Sequence, residues 1–258
     1  MDEFFTKSDI VEYCLSKLNL NVYNLIVEPS AGDGAFVREL VKTTPQKLYF
    51  DINPQHAAIQ KQDFLEWNQW PLINDILVVG NPPFGKNANL AIKFFNHASR
   101  FASTIAFILP RTFNKKSVHN KLNLNFHLVH TEVLPKDSFL YKGKSYDVPC
   151  CFQIWVKENH VRGKDKIEPL KNFKYTIRED AEFAIRRVGF YAGRVVLNNP
   201  HTVNQNTHYY LKILKKELSK EIVFESLQKY DFSFVHETVG SRSLSKLELN
   251  PILNKLFP

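Results

Sequence analysis

The feature that most constrains this chain is the tetrapeptide Asn81-Pro82-Pro83-Phe84, directly after the apolar run Ile76-Leu77-Val78-Val79-Gly80. Five apolar residues bounded by turn formers read as a strand buried on both faces. Neither proline donates a backbone hydrogen, so the ladder cannot continue past Asn81. The chain must leave the sheet there, at the strand's carboxyl end, which is the edge where open α/β sheets bind ligands. The prolines stiffen the turn and hold Asn81 and Phe84 in place. Asn81 then offers an amide oxygen, Pro82 a carbonyl with no competing donor on its own nitrogen, and Phe84 an aromatic face. Two acceptors beside a ring suit an exocyclic amino group on a flat heterocycle. A proline turn that merely ends a strand would carry the same four residues, so the rest of the chain decides.

A second stretch has the form strand, glycine loop, helix. Asn24 to Val27 reads as a short buried strand, Glu28-Pro29-Ser30-Ala31-Gly32-Asp33-Gly34 follows, and Phe36, Val37, Leu40 and Val41 recur at helical spacing. A phosphate-cradling P-loop needs Gly-Lys-Ser/Thr, which is absent. The dinucleotide fingerprint needs a third glycine, where Val37 stands. The remaining pattern, Glu-x-x-x-Gly-x-Gly, suits a cofactor without phosphates but with positive charge, which Glu28 and Asp33 attract, while Gly32 and Gly34 let backbone approach it closely. Lys47 to Phe50 reads as the next strand. Asp51, about 20 residues past the loop, then stands where an acid accepts from both ribose hydroxyls; a turn aspartate before Asn53-Pro54 is the plainer alternative. Asp63-Phe64 follows in the stretch Ile59 to Leu65, between that acid and the proline turn.

Asn-Pro-Pro-Phe resembles the Asn/Asp-Pro-Pro-aromatic motif of amino-methyltransferases, specifically adenine-N6 methyltransferases, and the glycine loop resembles the first motif of S-adenosylmethionine-dependent methyltransferases. The resemblance covers residues 1 to about 157 and includes the cap-adenosine methyltransferases, which share this form of the tetrapeptide. It implies a Rossmann-like doubly wound α/β domain with S-adenosylmethionine as cofactor. It also implies cofactor contacts from Phe5 and Thr6, from Glu28, Ser30, Gly32 and Gly34, and from Asp51 with Ile52. Asp63 and Phe64 would hold the cofactor's adenine ring. Asn81, which also borders the cofactor, Pro82, Pro83 and Phe84 would carry the chemistry, and Phe84 would stack on the target base. A glutamine-N5 methyltransferase acting on protein uses the same turn, and a silent nucleic-acid-binding module would keep the fold.

The other elements are expected as follows. Asp9 to Leu20 is an amphipathic helix capped by Ser8, and Asn89 to about Phe101 is another, after a polar loop. Thr104 to Pro110 is a buried strand, with Arg111 at its ligand edge. Phe126–Val133 is a strand, 136–144 a basic aromatic loop carrying Lys142, and 148–156 a terminal strand. Arg111 and Lys142 are candidates for substrate binding. The charged stretch Glu158 to Lys166 marks a linker, giving a catalytic domain over 1–157 and a basic recognition region over 158–258. There Arg186, Arg187 and Arg194 interleave with Phe190 and Tyr191 on two short strands, the mixture of charge and rings that binds nucleic-acid strands. Residues 206–212 lead into a basic helix reaching about Lys220.

Composition sets the outer bounds. The 258 residues carry a formal net charge of +8, compatible with a polyanionic partner without specifying one. Three cysteines in no metal-ligand spacing argue against a disulfide framework and for no metal. The opening Met1-Asp2-Glu3 lacks a signal-peptide pattern, and no apolar run reaches the ~18–20 residues of a membrane span. An intracellular protein with a nucleic-acid partner and no membrane is the expectation.

Overall fold

The structure, a computed structural model, describes residues 4–70, 72–236 and 242–258. The acidic opening Met1-Asp2-Glu3 lies outside the described residues. The chain divides into two units, Met1–Lys164 and Asp165–Pro258, and the division falls inside the charged stretch Glu158 to Lys166.

In the first unit the elements run β1 (Phe5–Thr6), α1 (Ser8–Leu15), β2 (Leu25–Glu28), α2 (Ala35–Leu40), β3 (Gln46–Asp51), β4 (Gln60–Lys61) and β5 (Ile76–Gly80). Then come α3 (Asn89–Ala98), β6 (Thr104–Pro110), α4 (Lys116–His119), β7 (Phe126–Val133), the hairpin β8 (Phe139–Tyr141) and β9 (Lys144–Tyr146), and β10 (Cys150–Lys157). Seven strands form one sheet in the order β4-β3-β2-β5-β6-β10-β7. The pairs from β4 to β6 are parallel, and β10 is antiparallel to both neighbours. Order reverses between β2 and β5, so the switch point of this Rossmann-like doubly wound sheet lies between their carboxyl ends.

Burial explains why the central strands form. Successive residues of β5 and β6 enter opposite layers. Val78, Ile105, Phe107 and Leu109 join α3's Phe94 and Phe95 on one face. Leu77, Val79, Ala106 and Ile108 join Ile10 and Val11 of α1 and Phe36 and Leu40 of α2 on the other. Each buried Val, Leu, Ile or Phe among them contributes roughly 1.5–3 kcal/mol. Gln60 and Lys61 are exposed and contribute nothing comparable, so β4 is two residues long. Cys14, Cys150 and Cys151 are free thiols inside these layers. Burial pushes the Cys14 thiol up to about 12 and raises Cys150 well above the ordinary thiol value.

Several elements differ from the sequence reading. α1 ends at Leu15, and Lys7, not Ser8, precedes its first turn. α3 ends at Ala98, before Phe101. Among the described residues no helix fills the connections 52–59 and 62–75, so strands and helices do not alternate there. Residues 136–144 do not form a plain loop. From Phe139 onward they form the hairpin β8–β9, whose turn residues Lys142 and Gly143 both have positive φ, 49° and 75°. Such a two-residue turn matches strand twist, and Lys142 gives little sign of it in sequence. β8 also pairs with β1, making a three-stranded sheet.

The second unit is a four-stranded antiparallel sheet, order β11-β14-β12-β13, from β11 (Phe173–Tyr175), β12 (Phe183–Arg186), β13 (Val195–Val196) and β14 (His208–Ile213). Phe173, Phe183, Ile185 and Leu211 form a core with residues of α5 (Lys220–Lys229) and α6 (Lys246–Leu256). His208 to Ile213 is a strand, whose aromatic and branched side chains favour the pleat, and the helix expected to run from there to about Lys220 is absent. Helix begins only at Lys220, with Ser219 Oγ accepting from Ile222 N. No helix among the described residues is long and apolar enough to cross a membrane.

Candidate functional site

At the switch point the loops after β2, β3, β4 and β5 surround a cavity of about 460 Å³. Its wall includes Glu28, Asp51, Asp63, Asn81 and Phe84, which lie far apart in sequence and meet because four strands end on one edge. Phe5, Thr6, Ser30, Gly32, Ile52 and Phe64 line it too, as do Pro82 and Pro83. Gly34, Arg111 and Lys142 are not in this wall. Gly34 caps α2, Arg111 follows β6 with its buried Nε unpaired, and Lys142 sits on the hairpin turn. Arg186, Arg187, Tyr191 and Arg194 belong to the second unit.

Asn81 is the centre of the arrangement. Its Nδ2 donates to the Phe4 carbonyl at 3.3 Å and to Thr6 Oγ1 at 3.2 Å, which orients the amide. Its backbone carbonyl accepts from Ser30 Oγ at 3.0 Å, tying the turn to the glycine loop. The amide oxygen Oδ1 is buried and has no partner. Native structures leave few buried acceptors unpaired, and each such group calls for an explanation. Phe84 is half-buried and wedged between the two core layers, which fixes its ring beside that oxygen's turn.

The acids are held by backbone. Asp51 accepts from Gly32 N and Asn53 N, both at 2.8 Å. Gly32 has φ +49°, and a Cβ there would meet the Phe5 ring at 3.1 Å. The room that glycine leaves is taken at Gly32 by the protein's own Phe5 ring and at Gly34 by His56, while Gly32 itself lines the cavity. Asp33 also lines the cavity, and its carboxylate accepts from Ala35 N and Arg38. Asp63 Oδ1 accepts from Leu65 N at 2.8 Å, and Phe64 packs against Trp67 and Phe94 in the core.

Glu28 is 2% exposed, and its Oε2 is unpaired. Burial first, then the charges of Asp33 and Asp51, hold its carboxyl well above the usual value of 4.5. A raised folded-state pKa makes the folded protein bind this proton while the unfolded chain releases it. Stability from that proton is complete below 4.5 and falls as pH rises through the raised value. In ligand-free protein, Glu28→Gln should therefore gain on the wild type in thermal melts as pH increases from below 4.5. Parallel melting profiles for the two proteins would show that Glu28 does not titrate this way.

The walls that sequence reasoning missed include Phe4, Leu90, Phe94, Phe139 and Val148. Leu90 and Phe94 follow the helical period of α3, whereas Val148 carries no local signal. Away from the cavity, ligand-type atoms of His127, Glu158 and His160 lie within 4.8 Å of one another. Glu158 pairs with His160 at 3.1 Å.

No family model matches the sequence, and no curated protein matches it. Among solved structures the chain is similar to a protein assigned as the modification subunit of a type I restriction enzyme from Vibrio vulnificus YJ016. Identity is 15% and the TM-score 0.47, over 60% of this chain and 45% of that one. It is similar to TrmN from Thermus thermophilus at 15% identity and TM-score 0.44, over 58% and 49%. It is also similar to the 23S rRNA methyltransferase ErmE at 16% identity and TM-score 0.46, over 62% and 71%. The chain thus spans about half the length of the first two. At these scores the likenesses add no argument about this chain, whose reading rests on its own residues.

Proposed function

We propose that the first unit transfers a methyl group from S-adenosylmethionine to the N6 amino group of adenine in nucleic acid, and that the second unit contributes substrate affinity. The observation that carries this reading is the buried, unpaired Asn81 Oδ1, oriented by its own Nδ2 contacts beside Pro82 and Phe84.

The residues fit the cofactor. Glu28 Oε2 is a buried, unpaired acceptor, and Asp51 and Asp63 share its wall, a donor set suited to a cationic ligand with ribose and adenine groups. Glu28 would face its charge, Asp51 its ribose hydroxyls and Asp63 its adenine amino group. Phe5, Thr6, Ser30, Gly32 and Ile52 would wall it, with Gly34 setting the loop's turn into α2. When bound, S-adenosylmethionine supplies an electrophilic methyl on a sulfonium.

The rest belongs to the chain. Adenine's amino lone pair is delocalised into the ring and is a poor nucleophile. Accepting its two hydrogens at Asn81 Oδ1 and at the Pro82 carbonyl localises that pair. The same fixed dipoles stabilise positive charge as it develops on nitrogen. Phe84 stacks on the base, which must be single-stranded or flipped from a duplex. Holding the amine in line supplies further rate through proximity. Arg111 and Lys142 offer cations to the strand's phosphates, and Arg186, Arg187 and Arg194 do so in the second unit. Arg186 and Arg194 flank Tyr191, at 5.9 and 5.7 Å from its ring, whereas Arg187 turns to Tyr209 at 5.6 Å.

The test is transfer of tritiated methyl to a panel of single-stranded and duplex DNA, RNA, capped RNA and protein, followed by nucleoside analysis. Label in N6-methyladenine is the expected result. Label only in protein glutamine, or none in any arm while cofactor binds, would overturn the reading.

A further inference from the structure

The second unit holds a cavity of about 700 Å³. It opens between the loop joining β12 to β13 and the end of α5 with the segment after it. Rings of Phe190, Tyr191, Tyr230 and Phe232 and the side chains of Arg194 and Arg242 line it. The Arg242 guanidinium lies 4.2 Å over the Phe190 ring and donates to the Phe190 carbonyl. Arg194 lies 5.7 Å from the Tyr191 ring.

Two features separate this cavity from an ordinary cleft. Phe190 and Tyr191 are 66% and 52% exposed, although folding favours hiding such rings. Among the described residues its lining contains two arginines and no carboxylate; Asp231, between Tyr230 and Phe232, turns instead to Ser233 N and Oγ. The shape is also built in by sequence. Gly193 has φ +96°, and a Cβ there would meet Phe232 at 2.6 Å, so only glycine lets that ring lie on the loop.

We infer that this cavity is a nucleotide-anchoring site for single-stranded nucleic acid, in which the exposed rings stack on bases and Arg194 and Arg242 neutralise phosphates. Charge complementarity selects the occupant: rings alone would suit any apolar ligand, but rings with cations and no acid suit a base attached to phosphodiesters. The site deepens the proposed function, because it assumes a nucleic-acid substrate. It adds a grip on nucleotides that are not methylated.

The test uses the full chain and fluorescence anisotropy with labelled single-stranded DNA and RNA oligonucleotides lacking adenine, and with abasic oligonucleotides of the same length. Phe190→Ala and Tyr191→Ala, both at exposed positions, should each weaken base-bearing strands about five- to hundredfold and leave abasic strands unchanged. Arg242→Gln should weaken both and lower the salt slope by about one. The DNA and RNA arms tell which sugar the site prefers. Unchanged affinity in the aromatic variants, equal losses on abasic strands, or no binding by wild type would overturn the inference. Tritiated-methyl transfer by wild type, run alongside, separates the two readings. Methylation of adenine with indifferent aromatic variants removes only the anchoring site, whereas stacking losses without methylation remove only the proposed reaction.

Discussion

Asn81→Ala should lower methyl transfer by about 10²–10³, the loss typical of one preorganised transition-state partner, and should leave the fold nearly unchanged. The thermodynamics of the ligand-free protein explain the second half. Truncation removes two neutral hydrogen bonds from Nδ2, at 3.3 and 3.2 Å, each worth about 0.5–1.5 kcal/mol. It also removes a buried oxygen with no partner, which relieves a penalty of about 1–3 kcal/mol. The two nearly cancel, so the melting temperature should hardly move. Asn81→Asp should be milder, because a carboxylate still accepts, although it cannot donate to Phe4 and Thr6. Phe84→Ala should chiefly weaken capture of the base. Single-turnover transfer at saturating cofactor, beside thermal melts, decides the matter. Full activity in folded Asn81→Ala would sink the mechanism.

Asp51→Ala should weaken S-adenosylmethionine by about 1–3 kcal/mol, the range for a lost charge-assisted hydrogen bond. Here the loss reaches beyond the ligand. The carboxylate holds the amides of both Gly32 and Asn53, so its removal leaves the glycine loop without the group that fixes its bend. Affinity and melting temperature should fall together, and Asp51→Asn, which keeps one acceptor, should fall between. Calorimetry measures the first and a thermal melt the second. Unchanged affinity would take Asp51 out of the site.

What the sequence disclosed follows the range of the forces involved. Ile76–Gly80, Thr104–Pro110 and Phe126–Val133 are legible because burial or pleat writes itself into consecutive residues. The glycine loop and the proline turn are legible because backbone geometry restricts which residues fit. That Glu28, Asp51, Asp63 and Asn81 share one cavity is legible only through the order of strands, since their separations in the chain span more than fifty positions. The hairpin at 139–146 is masked by lysines that also suit a loop. His208 to Ile213 becomes a strand through pairing with β11 and β12, which no local window shows. α6 did have a local mark: Glu248 lies three residues after Ser245 and accepts from its backbone amide at 2.7 Å. The aromatic cavity of the second unit draws on residues 190 to 242, and only its first half stands out as a motif.

The burial of Cys14, Cys150 and Cys151 makes the protein a convenient optical reporter. Thiol-reactive dyes are electrophiles that an accessible thiolate attacks, and none of these three sulfurs is exposed. A single cysteine placed at an exposed position beside these contacts, such as Gln228 at the aromatic cavity or Lys144 on the hairpin, would therefore take the dye alone. Emission from that one spot would then follow a strand arriving at the rings or at the hairpin, without the natural cysteines first being engineered away.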